Sequence, residues 1–263
     1  MNYDRQPGVP AFTSTEFAEK ESDYAVLIPV INEGERIITE LNTAYANRIH
    51  ESADIIICDG GSTDGSMEEE RLKSLGVNTL LVKKDTGKQG AQFRMGMFFA
   101  LKRGYKGIIT IDGNNKDSIE DIPAFIAKLK EGYGYVQGSR FVKGGHAENT
   151  PVSRYLALRL LHAPVISIAA HHKFTDTTSA YRAYSAEYLK DERVAPLRDI
   201  FVTYELLAYL SVRASQLGYK VCEIPVSRRY PKKGKTPTKI SFLSGNMDLL
   251  KCLFNSAFGK YNP

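Results

Sequence analysis

Residues 53–65 read ADIIICDGGSTDG. The apolar, β-branched run Ala53–Cys58 is too short for a helix and suits a strand. Asp59-Gly60-Gly61 then stops it with turn chemistry. Outward from this stretch the pattern repeats. Tyr24–Val30 (YAVLIPV), Asn78–Val82 and Gly107–Ile111 are likewise short and apolar, and Gly34–Ile49, Ser66–Leu75 and Lys88–Lys102 between them have helical spacing. This alternation predicts βαβ units and an α/β fold: a Rossmann-like, mostly parallel sheet flanked by helices. Right-handed crossovers put the C-terminal ends of such strands on one edge.

That edge is where open α/β sheets bind ligands. The segments that reach it are Pro29-Val30-Ile31-Asn32-Glu33, Asp59–Gly65, Lys83–Lys88 and Asp112-Gly113-Asn114, where acids and glycines concentrate. Turn chemistry accounts for any one of them, but less well for four in succession.

The 263 residues suit one large domain, with 43% hydrophobic and 25% charged residues as in ordinary globular proteins. The net charge of +5 is mild and concentrated late in the chain, which points to phosphate-bearing partners and not to nucleic acid. Cys58, Cys222 and Cys252 form no CxxC or His/Cys cluster, so zinc is not indicated. Neither a signal-peptide pattern nor an apolar run of about 18 residues is seen. A cytoplasmic, non-spanning protein is expected. Residues 1–22 read as a loose arm, 23–240 as the main domain and 241–263 as a C-terminal amphipathic helix. The apolar helix from Pro151 to about Ala170 and the terminal helix suit core or dimer contact, with a peripheral membrane contact as the alternative.

Taken in order, LIPVINEGERI, IIICDGGSTDGS, VQGSRFVKGG, TDTTSAYRAYS and LGYKVCEIPV resemble segments of family 2 glycosyltransferases with the GT-A fold. The likeness is greatest to the branch containing dolichyl-phosphate mannose synthase and polyprenyl-phosphate sugar synthases. It implies an inverting transferase with C-terminal helices on the acceptor side. A nucleotide-diphosphate sugar would be the donor and a polyprenyl phosphate the acceptor. Pro29, Asn32, Glu33 and Asp59 stand where the family holds base and ribose, while Lys88 and Gly90 open a helix whose N-terminus could face the donor.

The family's metal motif falls on Asp112 and Asn114, which implies Mg2+ or Mn2+. Lys116 follows two positions on, where a further oxygen ligand is common in that branch, and a protonated lysine cannot ligate a metal. Either Asp112 and Asn114 hold the metal with water and substrate phosphates while Lys116 turns outward, or the ammonium itself contacts the diphosphate and the metal is weakly bound or dispensable. The retained metal is the favoured reading, because Mg2+ is commonly held by one or two carboxylates plus substrate phosphates.

For phosphate groups the candidates are Arg140, Arg182, Arg229 and Lys239, the last two within the basic segment 228–239. A hydroxyl acceptor would need a general base, for which Glu205 is the candidate, although a helix glutamate is the plainer reading. The alternatives are transfer to a glycan hydroxyl, a sugar-nucleotide pyrophosphorylase and a non-catalytic sugar-nucleotide-binding module.

Overall fold

The computed structural model describes residues 6–231 and 244–263. Its strands are β1 (Phe12–Glu16), β2 (Tyr24–Val30), β3 (Asp54–Asp59), β4 (Val77–Lys83), β5 (Gly107–Thr110), β6 (Tyr135–Ser139), β7 (His146–Glu148), β8 (Arg182–Ser185), β9 (Val221–Pro225) and β10 (Ser227–Arg229). The helices are α1 (Glu35–Ala46), α2 (Glu69–Ser74), α3 (Gln89–Lys102), α4 (Ile122–Lys130), α5 (Val152–Ala157), α6 (Ala163–Ala170), α7 (Ala186–Lys190), α8 (Glu205–Gln216) and α9 (Ser244–Ala257). A π turn, Leu158–His162, joins α5 to α6 within the predicted apolar helix.

The main sheet runs β1-β4-β3-β2-β5-β8-β6-β9. β4, β3, β2 and β5 are mutually parallel, as the βαβ alternation predicts. β8 is antiparallel to both of its neighbours, as β1 is to β4. β1 corrects the reading of residues 1–22 as a loose arm: Phe12 pairs with Lys83 and Glu16 with Thr79, which extends the sheet by a strand.

Strand periodicity divides the core. Ala25 and Leu27 of β2, with Ile56 and Cys58 of β3, face α3, α6 and α8. Val26, Ile28 and Val30, with Ile55 and Ile57, face α1 and α4. Each such buried side chain contributes about 1.5–3 kcal/mol. α3 packs closely enough that a Cβ on Gly96 would lie 2.5 Å from the Cys58 sulfur. α9 buries Cys252 and Leu253 while leaving Met247 exposed, as is Phe258 just beyond its end.

The strand order turns at β2. From there β3 and β4 lie to one side and β5 to the other, so the crevice beyond the ends of β2 and β5 is the topological switch point.

Candidate active site

At the switch point two turns interlock. Asp59 ends β3 and accepts hydrogen bonds from the Gly61 and Ser62 amides and from the Ser62 hydroxyl at 2.6 Å. Asn32, in the left-handed conformation at φ 49°, receives the Thr63 amide at 2.8 Å through Oδ1 and donates its own amide to Ser62. Pro29 is buried beside Cys58 in the sheet, and Glu33 is ion-paired to Arg36 at 2.7 Å. Of the family-implied base and ribose residues, Asn32 and Asp59 are thus linked through Ser62, and Pro29 and Glu33 flank Asn32 in the chain.

Lys88 caps α3, exposed, with its amide on the Val202 carbonyl at 3.2 Å. Gly90 lies against the backbone of Phe201–Thr203, where a Cβ would come within 2.6 Å of a carbonyl oxygen. Between them, Gln89 donates to Asp112 Oδ1 at 2.9 Å.

The segment after β5 is laced to β10 by backbone bonds, Ser118 N to Ser227 O at 3.0 Å and Arg229 N to Lys116 O at 2.7 Å. This pairing points Arg228 inward, where it donates to Asp112 Oδ2 at 3.2 Å and to Asp117. Burial opposes the Arg228 charge, but Asp117 and Asp112 outweigh it and hold the guanidinium well above its ordinary pKa. Three cations surround one ring: Arg228, Lys116 and Arg154 lie 5.7, 5.7 and 5.8 Å from the centroid of Tyr230. Lys116 is buried, and burial followed by Arg228 lowers its pKa. Behind this loop Glu40 accepts the Asn115 amide at 2.7 Å, its carboxyl raised well above the usual range by burial.

Other expected residues have different surroundings. Arg140 is locked to Asp176 by bonds of 2.6 and 2.9 Å, with both side chains buried. Arg182 is 1% exposed and donates to the carbonyls of Ser179, Thr177 and Leu207, so its guanidinium is committed to backbone and not to phosphate. Arg229 points outward to Glu148 at 3.3 Å. In a strand, neighbouring side chains alternate, so the basic residue at the site is Arg228 and not Arg229. Glu205 accepts the amide and hydroxyl of Thr203 at 2.6 and 2.7 Å, a bond set that fixes the start of α8. Lys239 lies outside the described residues, as do Lys232, Lys233 and Lys235. Gln89, Arg154 and Tyr230 were not singled out from sequence. Only the adjacency of Gln89 to Lys88 and of Tyr230 to the arginine pair signalled them.

The donor set does not suit a divalent ion. Asn114 Oδ1, Asp117 Oδ1 and Glu40 Oε1 are buried without a hydrogen-bond partner, but burial disfavours the charged form of both carboxyls. Asp112 already accepts from Gln89 and Arg228 on its two oxygens. Among the described residues no group of three His, Cys, Asp or Glu could hold a metal. An ion on Asp112 would also have to share that carboxylate with the Arg228 guanidinium, a like charge already held there by Asp112 and Asp117.

The model of the family described as "Glycosyl transferase family 2" matches residues 25–192. The chain is 25% identical over 211 residues to a polyprenol monophosphomannose synthase of Mycolicibacterium smegmatis, covering 77% of this chain and 76% of that one. It is 26% identical over 203 residues to an undecaprenyl-phosphate mannosyltransferase of Micrococcus luteus, covering 76% and 81%. To a dolichyl-phosphate hexose transferase of Haloferax volcanii it is 27% identical over 213 residues, covering 79% and 83%. Among solved structures, glucosyl-3-phosphoglycerate synthase from Mycobacterium tuberculosis in complex with Mn2+, UDP and glucosyl-3-phosphoglycerate superposes with a TM-score of 0.63. That match covers 89% of this chain and 80% of the other at 16% identity, a likeness of fold alone. The parallel sheet with its switch-point site, and a family model spanning β2 to α7, lead to one conclusion: the chain belongs to glycosyl transferase family 2, an enzyme of the GT-A fold.

Proposed function

We propose that this glycosyltransferase moves a sugar from a nucleotide-diphosphate sugar to a polyprenyl phosphate, with inversion at the anomeric carbon. The observation that carries the reading is the gathering of Lys116, Arg154 and Arg228 around Tyr230, directly beside Asp112. Such a cluster suits anionic groups on both donor and acceptor. A phosphate acceptor is already nucleophilic and needs no general base. The engagement of Glu205 by Thr203 agrees with that. The names of the three relatives support the same acceptor class.

In the proposed step an acceptor phosphate oxygen attacks the anomeric carbon. The bond from that carbon to the diphosphate oxygen breaks, and the electron pair leaves with the nucleoside diphosphate. Pro29, Asn32, Glu33 and Asp59 form the wall for base and ribose, with Lys88 and Gly90 at the start of α3 beside it. Asp112, fixed by Gln89 and Arg228, stands nearest the reacting sugar. Mg2+ or Mn2+ is the cofactor the resemblance implies, with Asp112 and Asn114 as its ligands. The donor set does not fit such an ion, and no step is assigned to it.

Among the described residues no helix is long and apolar enough to cross a membrane. Exposed Val152, Leu160 and Ile168 along α5–α6, with Met247 on α9 and Phe258 just after it, support peripheral contact with the cytoplasmic face of a membrane. A homo-oligomer covering the same side chains is the competing use of that face.

The test is incubation with a panel of nucleotide sugars and a polyprenyl phosphate. Release of free nucleoside diphosphate together with an acid-labile, solvent-extractable sugar lipid is expected. Release stimulated only by a glycan hydroxyl acceptor would overturn the acceptor assignment.

A further inference from the structure

The site holds more fixed positive charge than a metal-dependent diphosphate site needs. Arg228 is divided between Asp112 and Asp117, while Lys116 and Arg154 converge on the same Tyr230 ring. Among the described residues three cations thus face two carboxylates. Glu40, behind the loop, adds little negative charge, because burial favours its neutral form. Arg140 and Asp176 neutralise each other nearby. The balance is positive before any ion enters, and it lies where a diphosphate leaving group would develop charge.

Lys116 is placed to use that balance. It belongs to the same short loop as Asp112, and its backbone is pinned to β10 by the Arg229 amide. Lys116 as a residue is 8% exposed, so an anion reaching its ammonium meets little competing water. An ammonium is a compact point charge with three N–H donors and suits phosphate oxygens.

Building on the donor reading above, we propose that the transferase works without a divalent ion. The Lys116 ammonium, backed by Arg228, provides the positive charge on the donor diphosphate that a metal provides elsewhere. Asp112 is then a hydrogen-bonded anchor for Arg228 and the sugar, not a metal ligand. During transfer, the pair that leaves the anomeric carbon ends on a diphosphate oxygen facing Lys116. No proton, oxidant or further reactant is required.

The experiment measures binding of UDP and GDP by calorimetry to the full chain after exhaustive EDTA treatment, then with Mn2+ added. In parallel, release of nucleoside diphosphate from the donor is followed in EDTA. Wild type is expected to bind one of the two equally, within about twofold, in EDTA and in Mn2+, and to turn over in EDTA. Lys116→Gln is expected to weaken metal-free binding about tenfold, and Lys116→Arg, which keeps the charge, to retain it. Melting curves establish that both variants are folded.

Binding by wild type only when Mn2+ is present overturns this inference and leaves the donor reading standing. So does undiminished metal-free binding by folded Lys116→Gln. Binding of neither nucleotide under either condition overturns the donor reading and this inference with it.

Discussion

Arg140 and Asp176 lie face to face, Nε to Oδ2 at 2.6 Å and Nη2 to Oδ1 at 2.9 Å, with side-chain exposures of 4% and 0%. The pair ties the end of β6 to the loop before β8, and Glu223 holds that loop from β9 through the Thr175 and Asp176 amides. Removing one partner of a buried pair leaves a charge uncompensated, at a cost of about 3–5 kcal/mol. Arg140→Ala is therefore expected to lower the melting temperature by roughly 2–4 °C per kcal/mol lost. The double change Arg140→Met with Asp176→Leu should recover most of the loss. Lost activity with an unchanged melting temperature would instead assign Arg140 to the substrate.

Gln89 acts through Asp112, holding its Oδ1 at 2.9 Å. A hydrogen bond to a charged group contributes about 1.5–3 kcal/mol. Gln89→Ala should lower kcat/KM by about tenfold to a hundredfold, with a fall in melting temperature of no more than several degrees. Steady-state kinetics on the best donor, paired with a thermal melt, checks both halves.

His162 gives the fold a pH dependence. Its Nδ1 lies 2.7 Å from the Thr177 hydroxyl. Burial, then Arg182, lowers its pKa from 6.5 to about 4, against the pull of Asp176. The folded ring stays neutral where the unfolded chain takes up a proton. Its contribution is present above pH 6.5 and lost progressively as pH falls towards 4. The loss amounts to roughly 2–3 kcal/mol, the lower figure allowing for the residue's partial contact with water. Melting curves of wild type and His162→Gln should diverge across this window, and parallel curves would exclude the assignment.

Gly90 is irreplaceable for lack of space, not for its backbone angle. A Cβ there would lie 2.6 Å from the Phe201 carbonyl oxygen and 2.9 Å from that of Thr203, both backbone atoms. Gly90→Ala should push the start of α3 away from this segment, at about 1–3 kcal/mol. Because Gln89 travels with it, activity should fall further than stability alone explains, which a comparison of melting temperature with kcat/KM at low temperature resolves.

The parallel strands and the edge where their turns gather were legible because each depends on local pattern: short apolar runs, helical spacing between them, and acids and glycines at the strand ends. Pairings between distant segments were not legible. Asp176 lies 36 positions from Arg140, and Arg182 spends its donors on backbone carbonyls that no side-chain pattern advertises. The choice between Arg228 and Arg229 turns on the register of the three-residue strand β10, which is set by its parallel pairing with β7 and its backbone bonds to the loop after Asp112, both distant in sequence. β1 was hidden because FTSTE alternates without a hydrophobic run and has no local partner.

That first strand also bears on how the molecule keeps to itself. β9 at the far side of the sheet is short and carries Glu223 and Pro225, which discourage another chain from adding to it. β4 has no such protection: VNTLLVK is long and apolar, and β1 is what covers its outer hydrogen-bonding row. During synthesis Phe12–Glu16 emerges well before the residues it must pair with. Until Val77–Lys83 follows, the nascent chain has an unsatisfied ribbon, and afterwards β4 depends on its return. β1 thus replaces a long apolar margin with a shorter, more polar one, and a chain lacking Phe12–Glu16 is expected to self-associate through β4.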